Sequence, residues 1–372
     1  MMLGDLGAEV IKIESPEGDD TRQWGPPYIG GESAYYLCAN RNKRSIILNL
    51  KSAGGKQVLL DLVRRGDILV ENFRVGTMRR LGLDYERLRD VNSRLIYAAI
   101  SGYGQTGPYS NRAGYDFIAQ AEGGLMSITG ETEGQPMKVG AGIVDITAGL
   151  FAATAILAAL HEREKSGEGQ YIDVALLDSQ VAWLANVASN YLVSGQKPKR
   201  YGNAHPNIVP YETFKTQDGH VAIAVGNDRQ WQRTCEVLGK PEWAVDALFV
   251  TNSKRVENRS TLIPMINAVT LTRDGAEWCR MLQEVGIPCG PINTIDQVFS
   301  DAQVLHREMT VEIPHPTAGK MKLVGFPYKL SRTPAAITRH PPLLGEHTES
   351  VLRDLLGYSA AAIAGLREDT AI

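Results

Sequence analysis

The sequence predicts an α/β protein with a mostly parallel sheet covered by helices, followed by a second, smaller domain. Short β-branched runs alternate with helical patterns from residue 8 to about residue 180. A stretch rich in Gly, Lys, Pro, Arg and Asn, residues 194–207, then breaks the pattern as a linker. The length, 372 residues, exceeds what one hydrophobic core usually fills.

Residues 9–14, 45–50, 67–72, 95–100 and 171–175 are strand candidates, each bounded by polar or turn-forming residues. Helical spacing covers 55–65, 85–91, 115–126 and 146–164, and Gly167 stops the last. Past the linker, Thr216-Gln-Asp-Gly219 reads as a hairpin turn joining 211–215 to 220–225. Helices at 228–238, 260–268 and 273–285 follow, then Pro-rich stretches near 288–291 and 314–316, and two helical patterns at 348–356 and 360–366.

At 43% hydrophobic residues a sizeable core is available. Lys and Arg total 39 against 42 Asp and Glu, so nothing favours nucleic acid or an anionic membrane, and a small-molecule substrate is expected. Cys38, Cys235, Cys279 and Cys289 stand singly, which reads as buried thiols without disulfides or zinc. The seven histidines show no H-x-x-x-H or H-E-x-x-H spacing, so no metal site is expected, and His205 and His347 read as turn or cap residues. No run of about 18 apolar residues and no secretory signal is visible, so a soluble protein is expected, cytoplasmic or, in a eukaryotic host, in the mitochondrial matrix.

Asp145 is the only acid in the run from Val139 to Leu150, where an apolar segment passes into a long Ala-rich helix. As an N-cap its carboxylate would accept from the first N–H groups of that helix, an interaction of about 1 kcal/mol. As a nucleophile it would be ionised at neutral pH without a partner base. Gly102-Tyr-Gly-Gln-Thr-Gly107 matches G-x-G-x-x-G after a strand, yet Pro108 follows instead of a helix, and no strand ending in an acid comes about 20 residues on. A tight, mobile loop beside a site suits these glycines better. The cluster Asn40-Arg-Asn-Lys-Arg44 and the pair Arg79-Arg80 would meet phosphates or form solvated faces.

Seven segments together resemble one family: residues 6–14, Asn42-Lys-Arg-Ser45, Val70-Glu-Asn-Phe73, residues 101–108, Gly114-Tyr-Asp116, Gly286-Ile-Pro-Cys-Gly-Pro291 and Leu343-Leu-Gly-Glu-His-Thr348. They look like the class III CoA-transferases, the CaiB/BaiF or formyl-CoA transferase family. The resemblance implies that Asp145 is the catalytic aspartate and that Asp116 lies near the reaction centre. It implies CoA contacts at Lys51, Asn72, Phe73, Arg80 and Leu81, with Lys43 and Arg44 as further candidates, and coenzyme A as substrate rather than a tightly bound cofactor. Residues 18–27 and 199–211 look most like the succinyl-CoA:glutarate (hydroxymethylglutarate) branch, which makes a dicarboxylate the expected acceptor, its far end clamped by Arg112, Arg22 or Arg41.

The family also holds acyl-CoA racemases, which need a His where this chain has Tyr115, so transfer is favoured. A racemase or isomerase, a nicotinamide-dependent oxidoreductase and a silent CoA-binding protein are the alternatives. By resemblance, a large Rossmann-like domain is built from residues 1–190 and 343–372 and a smaller α+β domain from 208–300, with connectors at 191–207 and 301–342. The subunit is expected to be an open ring in an interlocked homodimer. Family members begin some tens of residues earlier, so the first βα unit is expected to be missing. Reactive acyl intermediates need a covering loop, for which 102–107 or 202–206 are the candidates.

Overall fold

The computed structural model describes residues 1–372, which divide into two units. The first comprises residues 1–119, 142–183 and 299–372. Its strands β1 (Val10–Glu14) and β2 (Lys43–Ile47) pair in parallel, and β3 (Ile68–Glu71), β4 (Ile96–Ser101) and β5 (Tyr171–Ala175) form a second parallel sheet in the order β3-β4-β5. Each matches an expected strand within a few residues. The parallel pairing is therefore as expected, but it is divided between two sheets. β1 and β3 each keep one unpaired edge, and both line a cavity of about 1100 Å3.

Helix α1 (Ala53–Arg65) starts at Ser52, whose hydroxyl accepts from the Gly55 N–H, and packs Val58, Leu59 and Val63 inward. After α2 (Asp116–Glu122) comes α3 (Ile143–Ser166), ended by Gly167 in the left-handed region at φ 79°. By length and composition α3 could cross a bilayer, but its buried face belongs to the core. Val144, Ala148 and Ala152 pack with Ile100 and Val174, and Ile156 and Ala159 with Ile96 and Ala98. That order of contacts runs α3 antiparallel to β4, so its first turn lies at the carboxyl ends of the strands. Helix α4 (Leu176–Trp183) follows β5 directly.

The expected boundaries need two corrections. Residues 120–141 cluster with the second unit, together with 184–298, because Arg200 donates to the carbonyls of Glu131 and Gly134, and Gly202 N–H to that of Gly130. Bonds between residues 66 to 72 apart leave no periodic trace in sequence. Nor is 301–342 only a connector: it carries an antiparallel hairpin of the first unit, Thr310–His315 with Gly319–Val324. The second unit holds an antiparallel three-stranded sheet, Tyr211–Lys215, His220–Ala224 and Cys289–Pro291, whose core includes Trp231, Trp278, Phe214 and Phe249.

The basic cluster at 40–44 is not a solvated face: Asn40, Arg41 and Asn42 are buried and Lys43 and Arg44 half-buried. The buried Arg41 guanidinium clasps Asp5 with bonds of 3.0 and 2.8 Å, and the Asn42 amide donates to Asp5 and to the Ala336 carbonyl. Both charges of the Arg41–Asp5 pair are buried, so removing one partner strands the other. Asp5→Ala is expected to lower the unfolding free energy by about 3–5 kcal/mol, measured by denaturant titration; a loss below about 1 kcal/mol would contradict the pairing.

Candidate functional site

The chain enters α3 through Gly142, the residue before the first helical position. Asp145 is therefore the third helical residue and not its cap, a correction to the expected start at 146. The cap comes from elsewhere: Asp116 Oδ1, at the start of α2, accepts from the Val144 N–H at 2.8 Å and from the Asp145 N–H at 3.4 Å. These are N–H groups that no residue within a helix can satisfy.

The arrangement sets two carboxylates side by side. A Cβ built on Gly142 would lie 3.8 Å from both Asp116 Oδ1 and Asp145 Oδ2, so the two oxygens stand within twice that distance of each other. Burial, and then the charge of Asp116, push the Asp145 carboxyl up to about 6. Asp145 nevertheless keeps contact with solvent, so it is crowded on one side and open on the other. Such a group is ionised at neutral pH and more basic than an ordinary aspartate, which suits a nucleophile.

Asp116 is held by its own approach. Gly102 and Gly114 pack backbone to backbone so closely that a Cβ on Gly102 would sit 2.7 Å from the Gly114 Cα. The glycine loop expected to be mobile is tied at several points: Gly104 N–H donates to Ser101 Oγ at 3.0 Å and Gln105 N–H to Asp173 Oδ2 at 2.9 Å. No helix opens on it before Asp116, so it cannot present a helix N-terminus to a pyrophosphate as a dinucleotide turn does.

Sequence reasoning missed the aromatic neighbours of Asp145. Burial and then the charge of Asp145 push the Tyr35 hydroxyl up, and Trp24 meets the Tyr35 ring edge-on at 4.9 Å. Cys38, on the same short helix as Tyr35, is exposed where a buried thiol was expected, although burial of the sulfur still pushes its pKa up. The available signal was the crowding of Trp24, Tyr28, Tyr35 and Tyr36 into a stretch without core periodicity.

Of the residues expected to contact CoA, Lys51, Asn72, Phe73 and Leu81 line the cavity bordered by β1 and β3. Asn72 is anchored by donating to the Ile100 carbonyl at 2.8 Å, near the carboxyl end of β4. Arg80 sits beside Leu81, exposed, with a bond to Thr77 Oγ1. Lys43 points inward to Asn40, and burial pushes it down to about 8; Arg44 is held by Glu9 and Ser350. Neither lines this cavity. Arg22 and Arg41 are likewise engaged, by Glu14 and Asp5. Arg112 differs: its guanidinium carbon lies over the Tyr109 ring, 3.6 Å from the centroid, and it forms no ion pair. Tyr115, next to Asp116, is 68% exposed. In the second unit, His205 Nδ1 accepts from the Asn207 N–H, a turn role.

Residues 1–348 match the sequence family described as CoA-transferase family III. The chain is 46% identical over 367 residues to the succinyl-CoA:glutarate CoA-transferase of Mus musculus, covering 98% of this chain and 84% of that one. It is 46% identical over 361 residues to the succinate–glutarate CoA-transferase of Agrobacterium fabrum, covering 95% and 90%. The crystal structure of a CAIB/BAIF family protein from Brucella suis superposes with a TM-score of 0.82 at 44% identity, over 95% of this chain and 93% of that one.

An acid whose pKa is higher folded than unfolded binds extra protons in the native state, here between 3.8 and about 6. The associated stability is present below 3.8 and lost as pH rises through about 6. Asp145→Asn removes that loss. It is expected to stabilise the fold by about 1 kcal/mol at pH 8, discounted for solvent screening, and not at all near pH 3.5, by thermal melts at both pH values. Equal shifts at the two would contradict the raised pKa.

Proposed function

The chain belongs to CoA-transferase family III, and we propose that it moves CoA from succinyl-CoA to a dicarboxylic acid such as glutarate, with Asp145 as nucleophile. The observation that carries this reading is the Asp145 carboxylate, made more basic beside Asp116 at the carboxyl ends of the strands. Asp145 attacks the thioester carbonyl and expels CoA thiolate, leaving an aspartyl–acyl anhydride. The thiolate attacks the aspartyl carbonyl of that anhydride, releasing the first acid and forming an aspartyl-CoA thioester. The acceptor carboxylate then displaces the thiolate to form a second anhydride. Attack of the thiolate on its acyl carbonyl yields the new acyl-CoA and restores Asp145.

Lys51, Asn72, Phe73, Arg80 and Leu81 hold CoA in this reading, four of them from the rim and walls of one cavity. Arg112, unlike the chain's inward-facing arginines, is free to meet the far carboxylate of the acid, with Tyr115 beside the reaction centre. Tyr115 lacks the imidazole that proton shuttling at an α-carbon would use, which favours transfer over racemisation. Two copies associate through apolar faces left open in each unit: Ile146, Leu150 and Leu157 along α3, and Leu192 and Val193 in the second unit. A single-chain mass by analytical ultracentrifugation would count against that association.

Incubation with succinyl-CoA and glutarate is expected to yield glutaryl-CoA and succinate. Asp145→Ala should reduce turnover by more than about 1000-fold while CoA binding persists, and unchanged turnover would remove the mechanism. The rate constant should climb with pH through about 6 and then level, since only the ionised carboxylate attacks. Asp116→Asn, which deletes the second of the two causes, should move that limb to lower pH; a limb left in place would show that Asp116 does not tune the nucleophile.

A further inference from the structure

Gly142 stands where a helix normally takes Ser, Thr, Asp or Asn, whose side chain accepts from the second or third helical N–H. Those N–H groups, of Val144 and Asp145, go instead to Asp116, from a segment 28 and 29 residues away in sequence. Backbone conformation does not demand glycine: φ −73° with ψ 66° is open to any L-residue. Packing does not demand it either, since an added Cβ would meet no protein atom closer than 3.8 Å. The atoms it would meet at that distance are the Asp116 carboxyl and Asp145 Oδ2. Apart from its chain neighbours, the nearest atoms to the bare position thus belong to the two carboxylates.

We propose that Gly142 is a positioning residue for acyl transfer: the volume left by its missing side chain is the path by which the thioester carbonyl reaches Asp145. Asp116 caps α3 from a distance because a local capping side chain would fill that path. The inference rests on Asp145 being the nucleophile. A reacting carbonyl must come to about 3–3.5 Å of the attacking oxygen, and a displacement of 1 Å costs on the order of 100-fold in rate. One methyl group beside that oxygen is therefore enough to be felt.

The test compares Gly142→Ala and Gly142→Ser with the wild-type chain. Both substitutions fit the fold, and Ser is the better helix cap, so melting temperatures should be ordered Ser at or above Ala. Transfer should follow the opposite order, with kcat lowered about 10-fold by Ala and further by Ser, and KM for succinyl-CoA little changed. Wild-type kcat in both variants, or Ser restoring what Ala loses, would overturn the inference, the second outcome assigning Gly142 a capping role. A wild-type chain that fails to transfer CoA would instead overturn the functional reading itself, so the two failures are told apart.

Discussion

The hydrogen bonds from the Val144 and Asp145 N–H groups to Asp116 Oδ1 cap the first turn of α3 and fix the geometry of the candidate site. They satisfy the otherwise orphaned donors of a 24-residue helix, and they bring a second negative charge beside Asp145. Structure and chemistry are coupled through the same oxygen. The bond that anchors the helix is also part of what makes its third residue unusually basic. The backbone contact of Gly102 with Gly114 stands behind it, since it fixes the segment that delivers Asp116.

The position of this pair follows from general rules of parallel sheets. The carboxyl ends of β4 and β5 converge on the first turn of α3, the end at which open α/β folds gather their ligands. Asn72, tied to the Ile100 carbonyl, belongs to the same end of the sheet. Arginines of the first unit divide by partner. Arg22 and Arg41 pair with the buried carboxylates of Glu14 and Asp5, and Arg44 with the exposed carboxylate of Glu9. Arg112 is exposed, with its guanidinium over the Tyr109 ring and no carboxylate partner. Charge content therefore says little about ligand recognition here, and the distribution of partners says much more.

Much of the fold was legible in the sequence because it follows from local patterning. The five parallel strands of the first unit and the Thr216–Gly219 hairpin, closed by a bond from Thr216 N–H to the Gly219 carbonyl, lie where periodicity and turn chemistry placed them. The start of α3 was misplaced by three residues because Asp145 is a good cap by type, while the actual cap comes from another helix. The basic run at 40–44 looked exposed because nothing local reveals that Asp5 lies opposite Arg41. Tyr35 and Trp24 escaped notice because short aromatic-rich stretches without periodicity read as loop.

What the sequence determined alone was the family and the class of fold, together with the aspartate to propose as the reacting group, since these rest on residue type, short spacing and motif order. Tertiary structure decided the surroundings: which carboxylate caps α3, how far the Asp145 pKa rises, which arginines are committed inward, and that residues 120–141 join the second unit. The physical reason is the range of the forces involved. Propensity and periodicity act over a few residues, whereas desolvation, charge coupling and capping in trans depend on atoms that only the folded chain brings within a few ångströms.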